Sequence, residues 1–237
     1  MTSRIGAAAA CLFLTPSFVD TSIQVKRFES TYRGARTLQV TFLERYSENG
    51  HIVRVEAGTA YFRRPGKMRW EYESPEKNLF LVDGKSAWFY VPADHTVTRV
   101  PAKESTDWRT PLALLAGEVK LSRICERVDV ASGEKPEKDG DVVLSCPLKG
   151  STSKPGQKSA NDASDSNRDM LLLEITQDTS ELARTVVRGT GGVDIEFKFK
   201  DWQFDPPLPD SFFRFEVPPG VAIVNGELPS GDARVNP

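Results

Sequence analysis

The 237-residue chain predicts a mainly β protein with a helical lid, an α+β arrangement in which ten or more antiparallel strands form a barrel or strongly curved sheet. Three observations predict it. Near Thr37 the hydrophobic period changes from helical steps to two, and short strand-like segments then follow closely. Tight-turn pairs, Asn49-Gly50 and Asp83-Gly84, separate several of them. A helix of barely two turns, Pro111 to Ala116, is apolar nearly all round, so it must be covered or must cover something.

Residues 19–36 read as an amphipathic helix. Val25, Phe28, Tyr32 and Ala35 recur at steps of three and four, while Lys26, Arg27, Glu29 and Arg33 point elsewhere. From Thr37, Leu38, Val40 and Phe42 alternate with Gln39, Thr41 and Leu43 as in a strand. Strands are expected at 52–64, 67–73, 78–82, 86–90 and 97–100, an antiparallel meander with short connections. Thr110 is placed to cap the short helix, Pro111 suits its first position, and Gly117 ends it. Segments 119–130 and 141–148 read as a hairpin, and strands resume at 170–176, 182–189 and 193–202. A last strand is expected at 212–217, with Phe213, Phe215 and Val217 on one face.

The ends and one insertion read differently. Residues 1–18 form a signal-like segment: one arginine, then the apolar run Ile5 to Leu14, without a clean Ala-x-Ala cleavage site. Cys11 follows two alanines as in a lipidation site, but the usual leucine is absent. Residues 19–224 form one domain, within which the Ser-, Asp- and Lys-rich stretch 150–169 reads as a flexible loop. Residues 225–237 form a polar tail. Cys125 and Cys146 lie in consecutive strand-like segments, either bridged across the hairpin or buried as two thiols.

Composition excludes some functions. The formal net charge is −2 and the basic residues are scattered, so no concentrated basic face for nucleic acid is expected. No run approaches the roughly 18 apolar residues of a membrane span. His51 and His95 stand in or beside turns with no second ligand at metal spacing, so no metal and no cofactor is expected. "DGKS" at 83–86 lacks the first glycine of a phosphate loop, "STSK" at 151–154 lies in the flexible stretch, and "GTGG" at 189–192 lacks dinucleotide spacing. No nucleophile–base pair emerges, so no catalytic residue is assigned and the chain is not expected to be an enzyme.

The stretch "FRRPGKMRWEYESPEKNLFLVDGKSAWFYVPADHTVTRVP" carries a resemblance. Arg64-Pro65 closes a strand, Met68-Arg69-Trp70 follows, then Pro75, Asp83-Gly84-Lys85, and the aromatic triplet Trp88-Phe89-Tyr90 before Pro92. With "TPLALLAG" and "FRFEVPPGV", this order resembles the periplasmic outer-membrane lipoprotein carrier family, LolA, over about residues 19–224. The resemblance implies an unclosed antiparallel β-barrel of about eleven strands enclosing a hydrophobic cavity under short α-helices. It implies a monomeric periplasmic carrier that takes acylated lipoproteins from an inner-membrane transporter to an outer-membrane acceptor. Met68, where the family often has Phe, and the insertion at 150–169 depart from the pattern.

Parity places Ile52, Ala60, Phe62 and Arg64 on one strand face, and Met68, Trp70 and Tyr72 on one face beyond the Pro-Gly break. Phe42, Phe62, Met68, Trp70, Leu112 and Leu115 are the candidate acyl-binding set; ordinary core is the alternative for each. Arg64 would stand at the rim, bonded to carbonyls at the C-terminal end of a lid helix, a latch role that the resemblance assigns to it. Otherwise it is a solvated edge arginine. Arg63, on the other parity, is expected to face solvent. A related half-barrel carrier or lipid sensor with different cargo fits the same pattern. A membrane-anchored receptor would need a lipidated cysteine and an apolar protruding loop, and no predicted turn carries such a loop.

Overall fold

The computed structural model of the protein describes residues 20–104, 110–117, 120–149, 169–189 and 191–225. The signal-like segment with Cys11, nearly all of the 150–169 stretch including "STSK", and the tail beyond residue 225 lie outside the described residues.

Helix α1, Thr21–Arg33, starts where the Asp20 side chain accepts the N–H groups of Ser22 and Ile23. It buries Phe28 and Tyr32 on the expected face. Strand β1, Thr37–Glu48, and β2, His51–Arg63, form a long hairpin about Asn49 and Gly50, both at positive φ. The meander continues with β3, Lys67–Ser74, β4, Leu79–Val82, β5, Ser86–Val91, and β6, Thr96–Pro101. A 3-10 segment at Thr110–Ala116, here called the lid turn, replaces the expected α-helix.

Beyond it, 120–128 is not a strand. Leu121–Ile124 forms a short helix, α2, and only Asp129–Val130, β7, pairs with β8, Val142–Pro147. The N–H of Cys125 closes α2 on the Leu121 carbonyl, and the chain there makes an isolated antiparallel bridge, Cys125 with Leu148, rather than a strand. Strands β9, Met170–Ile175, β10, Leu182–Arg188, and β11, Val193–Phe204, complete the expected series.

The C-terminal expectation is also corrected. Residues 212–217 form no strand; Asp210–Phe213 is a 3-10 turn. Phe213 is buried, while Val217 is exposed. The last strand among the described residues is β12, Ala222–Asn225, which pairs in parallel with β6. Twelve strands therefore form one sheet, in the order β12-β6-β5-β4-β3-β2-β1-β11-β10-β9-β8-β7. Its outermost strands, β12 and β7, are not paired with each other, so the sheet is unclosed, with every pairing antiparallel except β12–β6.

One face of the sheet carries the main core, which α1 and the lid turn join. At Gly58 β3 comes so close that a Cβ would collide with the Glu71 carbonyl oxygen. The outer face carries charge ladders: Arg45 and Arg184 both pair with Glu196, and Arg184 also reaches Glu174 at 2.8 Å. The projecting end of β2 is unlike either face, since Ile52, Val53 and Val55 are all exposed. Ile52 thus shares parity with Phe62 but not its burial. The turn itself is polar, and the apolar residues lie in the strand just after it.

Candidate functional site

Registry brings the inner-face residues together. Phe62 stands opposite Met68, Ala60 opposite Trp70, and Phe42 opposite Gly58 and Phe199. The Phe42 and Trp70 rings meet edge-on at 4.8 Å between centroids, Phe62 and Trp70 at 5.9 Å, and Trp70 and Phe197 at 5.2 Å. Leu112 and Leu115 of the lid turn belong to the same buried cluster, so all six candidate residues line one continuous apolar region. Met68 is its unbranched, adaptable member.

Arg64 stands just past the end of β2. Its Nη2 donates to the Tyr32 carbonyl and its Nη1 to the Arg33 carbonyl, both at 2.5 Å. Nη2 also makes a long contact of 3.5 Å with the carbonyl of Leu115. The acceptors are the last carbonyls of α1, which lack intrahelical partners and lie at the negative end of the helix dipole. One guanidinium thus ties the β2–β3 connection to both α1 and the lid turn. The N–H of Gly66 adds a bond of 2.7 Å to the Ala116 carbonyl. Burial lowers the Arg64 pKa from its ordinary value, and Arg33 lowers it further, against the opposing charge of Asp205.

Tyr32 holds the other side of the helix end. Its hydroxyl accepts the N–H of Leu182 at 2.8 Å, and its ring meets Trp202 at 5.1 Å. Burial pushes the phenol well above its usual range, so it stays neutral. Trp202 Nε1 donates to the Leu182 carbonyl at 2.8 Å.

Arg63 does not simply face solvent. Its Nη1 donates to the Leu208 carbonyl at 2.5 Å, and its Nε lies 3.5 Å from Asp210. Lys67 Nζ reaches Asp210 at 2.6 Å, and Arg69 lies over the Phe212 ring at 4.6 Å. Phe212 packs on Tyr61, and Phe215 packs between Trp88 and Tyr90. Residues 205–215 therefore form a strap over the outer face, which explains why the alternating phenylalanines make no strand.

Cys125 and Cys146 form a disulfide with Cα atoms 5.2 Å apart, bracing α2 against β8. Among the described residues no group of three or more potential ligands could hold a metal ion. Sequence reasoning missed the polar residues of the inner face. Glu44 and Glu56 are buried opposite each other, and Tyr72 donates to Glu44 at 2.7 Å. The available signal was parity: Glu44 continues the series Leu38, Val40, Phe42.

Fold and site together define an open β half-barrel whose apolar inner face is roofed by a helix and a lid turn. Residues 33–154 match the family described as "Outer membrane lipoprotein carrier protein LolA", and the chain belongs to that family. Similar sequences include an "Outer-membrane lipoprotein carrier protein" of Xanthomonas campestris pv. campestris strain B100, 28% identical over 222 residues, covering 93% of this chain and 96% of the relative. A protein of the same description from Chromobacterium violaceum is 29% identical over 224 residues, covering 93% and 95%. Among solved structures, an uncharacterized conserved protein from Thermus thermophilus shares the fold with a TM-score of 0.51 at 13% identity, covering 86% of this chain and 98% of that one.

Proposed function

We propose that this protein is a non-catalytic periplasmic carrier that shelters lipoprotein acyl chains on its inner face and ferries them from an inner-membrane transporter to an outer-membrane acceptor. The observation that carries the reading is the Arg64 bridge at the edge of the Phe42, Phe62, Met68, Trp70, Leu112 and Leu115 surface. Acyl chains enter by displacing the aromatic contacts and lifting α1 and the lid turn. Each buried methylene contributes ~0.8 kcal/mol before the costs of opening. Re-formation of the Arg64 bonds drives the chains out to an acceptor.

The disulfide, a linkage expected of oxidising spaces, and membership of the family support this compartment. No helix among the described residues is long and apolar enough to cross a membrane. Native mass spectrometry of protein purified from the periplasm tests the reading. A co-purifying triacylated or diacylated lipoprotein, in a one-to-one complex with a monomeric carrier, is expected. Co-purification of a non-protein lipid alone would replace lipoprotein with a different cargo.

A further inference from the structure

The inner face contains a polar layer. Registry sets its side chains in rungs across the sheet, and one rung runs Thr185, Phe197, Glu44, Glu56. The next toward the lid turn runs Phe199, Phe42, Gly58, Tyr72, and the next away from it runs Ile195, Tyr46, Arg54. The carboxylates in this layer are engaged: Tyr72 donates to Glu44, and Arg54 Nε lies 2.8 Å from Glu56 while its guanidinium covers the Tyr46 ring.

Neutral donors are less well served: Asn78 Nδ2, on the residue whose carbonyl accepts the Tyr72 N–H, has no hydrogen-bond partner, and two others join it. Trp70 is 0% exposed and Thr185 is 1% exposed, yet the Trp70 Nε1 and Thr185 Oγ1 atoms have no hydrogen-bond partner. Both border the same ring, because Phe197 packs on Trp70 and is the registry partner of Thr185. Folded proteins leave few buried donors unpaired, since such a group forfeits its bonds to water. A lone water would be poorly held here, because it needs two to four polar partners and the intervening ring offers none.

Resting on the carrier reading, we infer that Thr185 Oγ1 and Trp70 Nε1 receive the carbonyl oxygens of ester- or amide-linked acyl groups, so the site selects acylated glyceryl or amide cargo over free fatty acids. Methylenes offer the two donors no acceptor, whereas an acyl linkage carries one per chain. A free carboxylate also accepts, but it is an anion that would give up its water in an apolar site, and the guanidinium of that layer, Arg54, already lies on Glu56. An uncharged carbonyl meets the same donors without that cost.

The test is calorimetric titration of the full, disulfide-bonded chain with monolaurin and with sodium laurate, each below its micelle concentration, at pH 8. Monolaurin is expected to bind about tenfold or more tighter than laurate. Thr185→Val should weaken monolaurin about threefold to tenfold and leave laurate within about twofold, the range for one hydrogen bond, whereas Trp70→Phe, which also alters the acyl surface, should weaken both probes and monolaurin the more. Thr185→Val keeps the side-chain shape and removes an unsatisfied hydroxyl, so it should also raise the melting temperature of the unliganded protein. Equal affinity for the two probes, a Thr185→Val variant that weakens both probes alike, or a lowered melting temperature for Thr185→Val would each overturn the inference and leave the carrier reading standing. Binding of neither probe, nor of a diacylated lipopeptide, would overturn both.

Discussion

Arg64 and Tyr32 are joined through the main chain of one and the side chain of the other: Nη2 of Arg64 donates to the Tyr32 carbonyl at 2.5 Å. The same tyrosine accepts the Leu182 N–H through its hydroxyl at 2.8 Å. The end of α1 is therefore held from two sides of the open sheet, by the β2–β3 connection and by the start of β10. Release of either hold removes one of the two ties at that helix end.

Replacing Arg64 with Leu removes the charge-assisted bonds to α1 and adds apolar surface at the rim, each bond being worth ~1.5–3 kcal/mol. Both changes favour the open, loaded state over the closed, empty one. Arg64→Leu is expected to fold and to accept a lipoprotein, but to pass it on poorly. A transfer assay that measures loading and unloading separately checks this. Normal unloading would remove the latch role.

Tyr32→Phe leaves the Leu182 N–H buried without its acceptor. The expected cost is about 1–3 kcal/mol, or a fall in melting temperature of about 2–10 °C for a chain of this size. Thermal unfolding followed by circular dichroism measures it. An unchanged melting temperature would show that the helix end is not held from the β10 side.

The Cys125–Cys146 bridge closes a loop with a sequence separation of 21 residues. Chain-entropy arguments for such a loop predict a stabilisation of about 3 kcal/mol. Alkylation of the unreduced, denatured protein should label neither cysteine. The double variant Cys125→Ala, Cys146→Ala should melt at a lower temperature, and labelling of both thiols would contradict the pairing.

The strap should loosen in acid. Lys67 chiefly holds the Asp210 carboxyl below its ordinary value of 3.8, with help from Arg63 and Arg214 and against the cost of desolvation. A carboxyl depressed by folding contributes stability above its unfolded pKa, and that contribution disappears as pH falls through the folded value. The melting-temperature difference between the wild type and Asp210→Asn should therefore be present at neutral pH and vanish as pH falls through the lowered Asp210 value. A difference that persists in strong acid would exclude this origin.

Much of the architecture was legible because it is written in neighbours. The two-residue period of β1 and β2, the positive-φ turn at Asn49-Gly50, and the steps of three and four in α1 are local signals, and each element formed where they lie. The errors fell where local pattern and long-range packing compete. Phe213 and Phe215 alternate like strand residues, but basic and aromatic side chains of β2, β3 and β5 capture their segment across the outer face. The 120–128 stretch is short, and α2 takes part of it.

The sequence by itself determined that this is a mainly β chain with a small apolar lid, and its ordered motifs placed it beside the lipoprotein carriers. Alternation of side chains along a strand needs no knowledge of the partner strand. Only the tertiary structure decided which carbonyls answer Arg64, that Arg63 anchors a strap, and that Thr185, Glu44 and Glu56 share one rung with Phe197. These relations join residues far apart in the chain through strand registry and helix docking. No local period encodes registry, because it is set by the summed packing of the whole inner face.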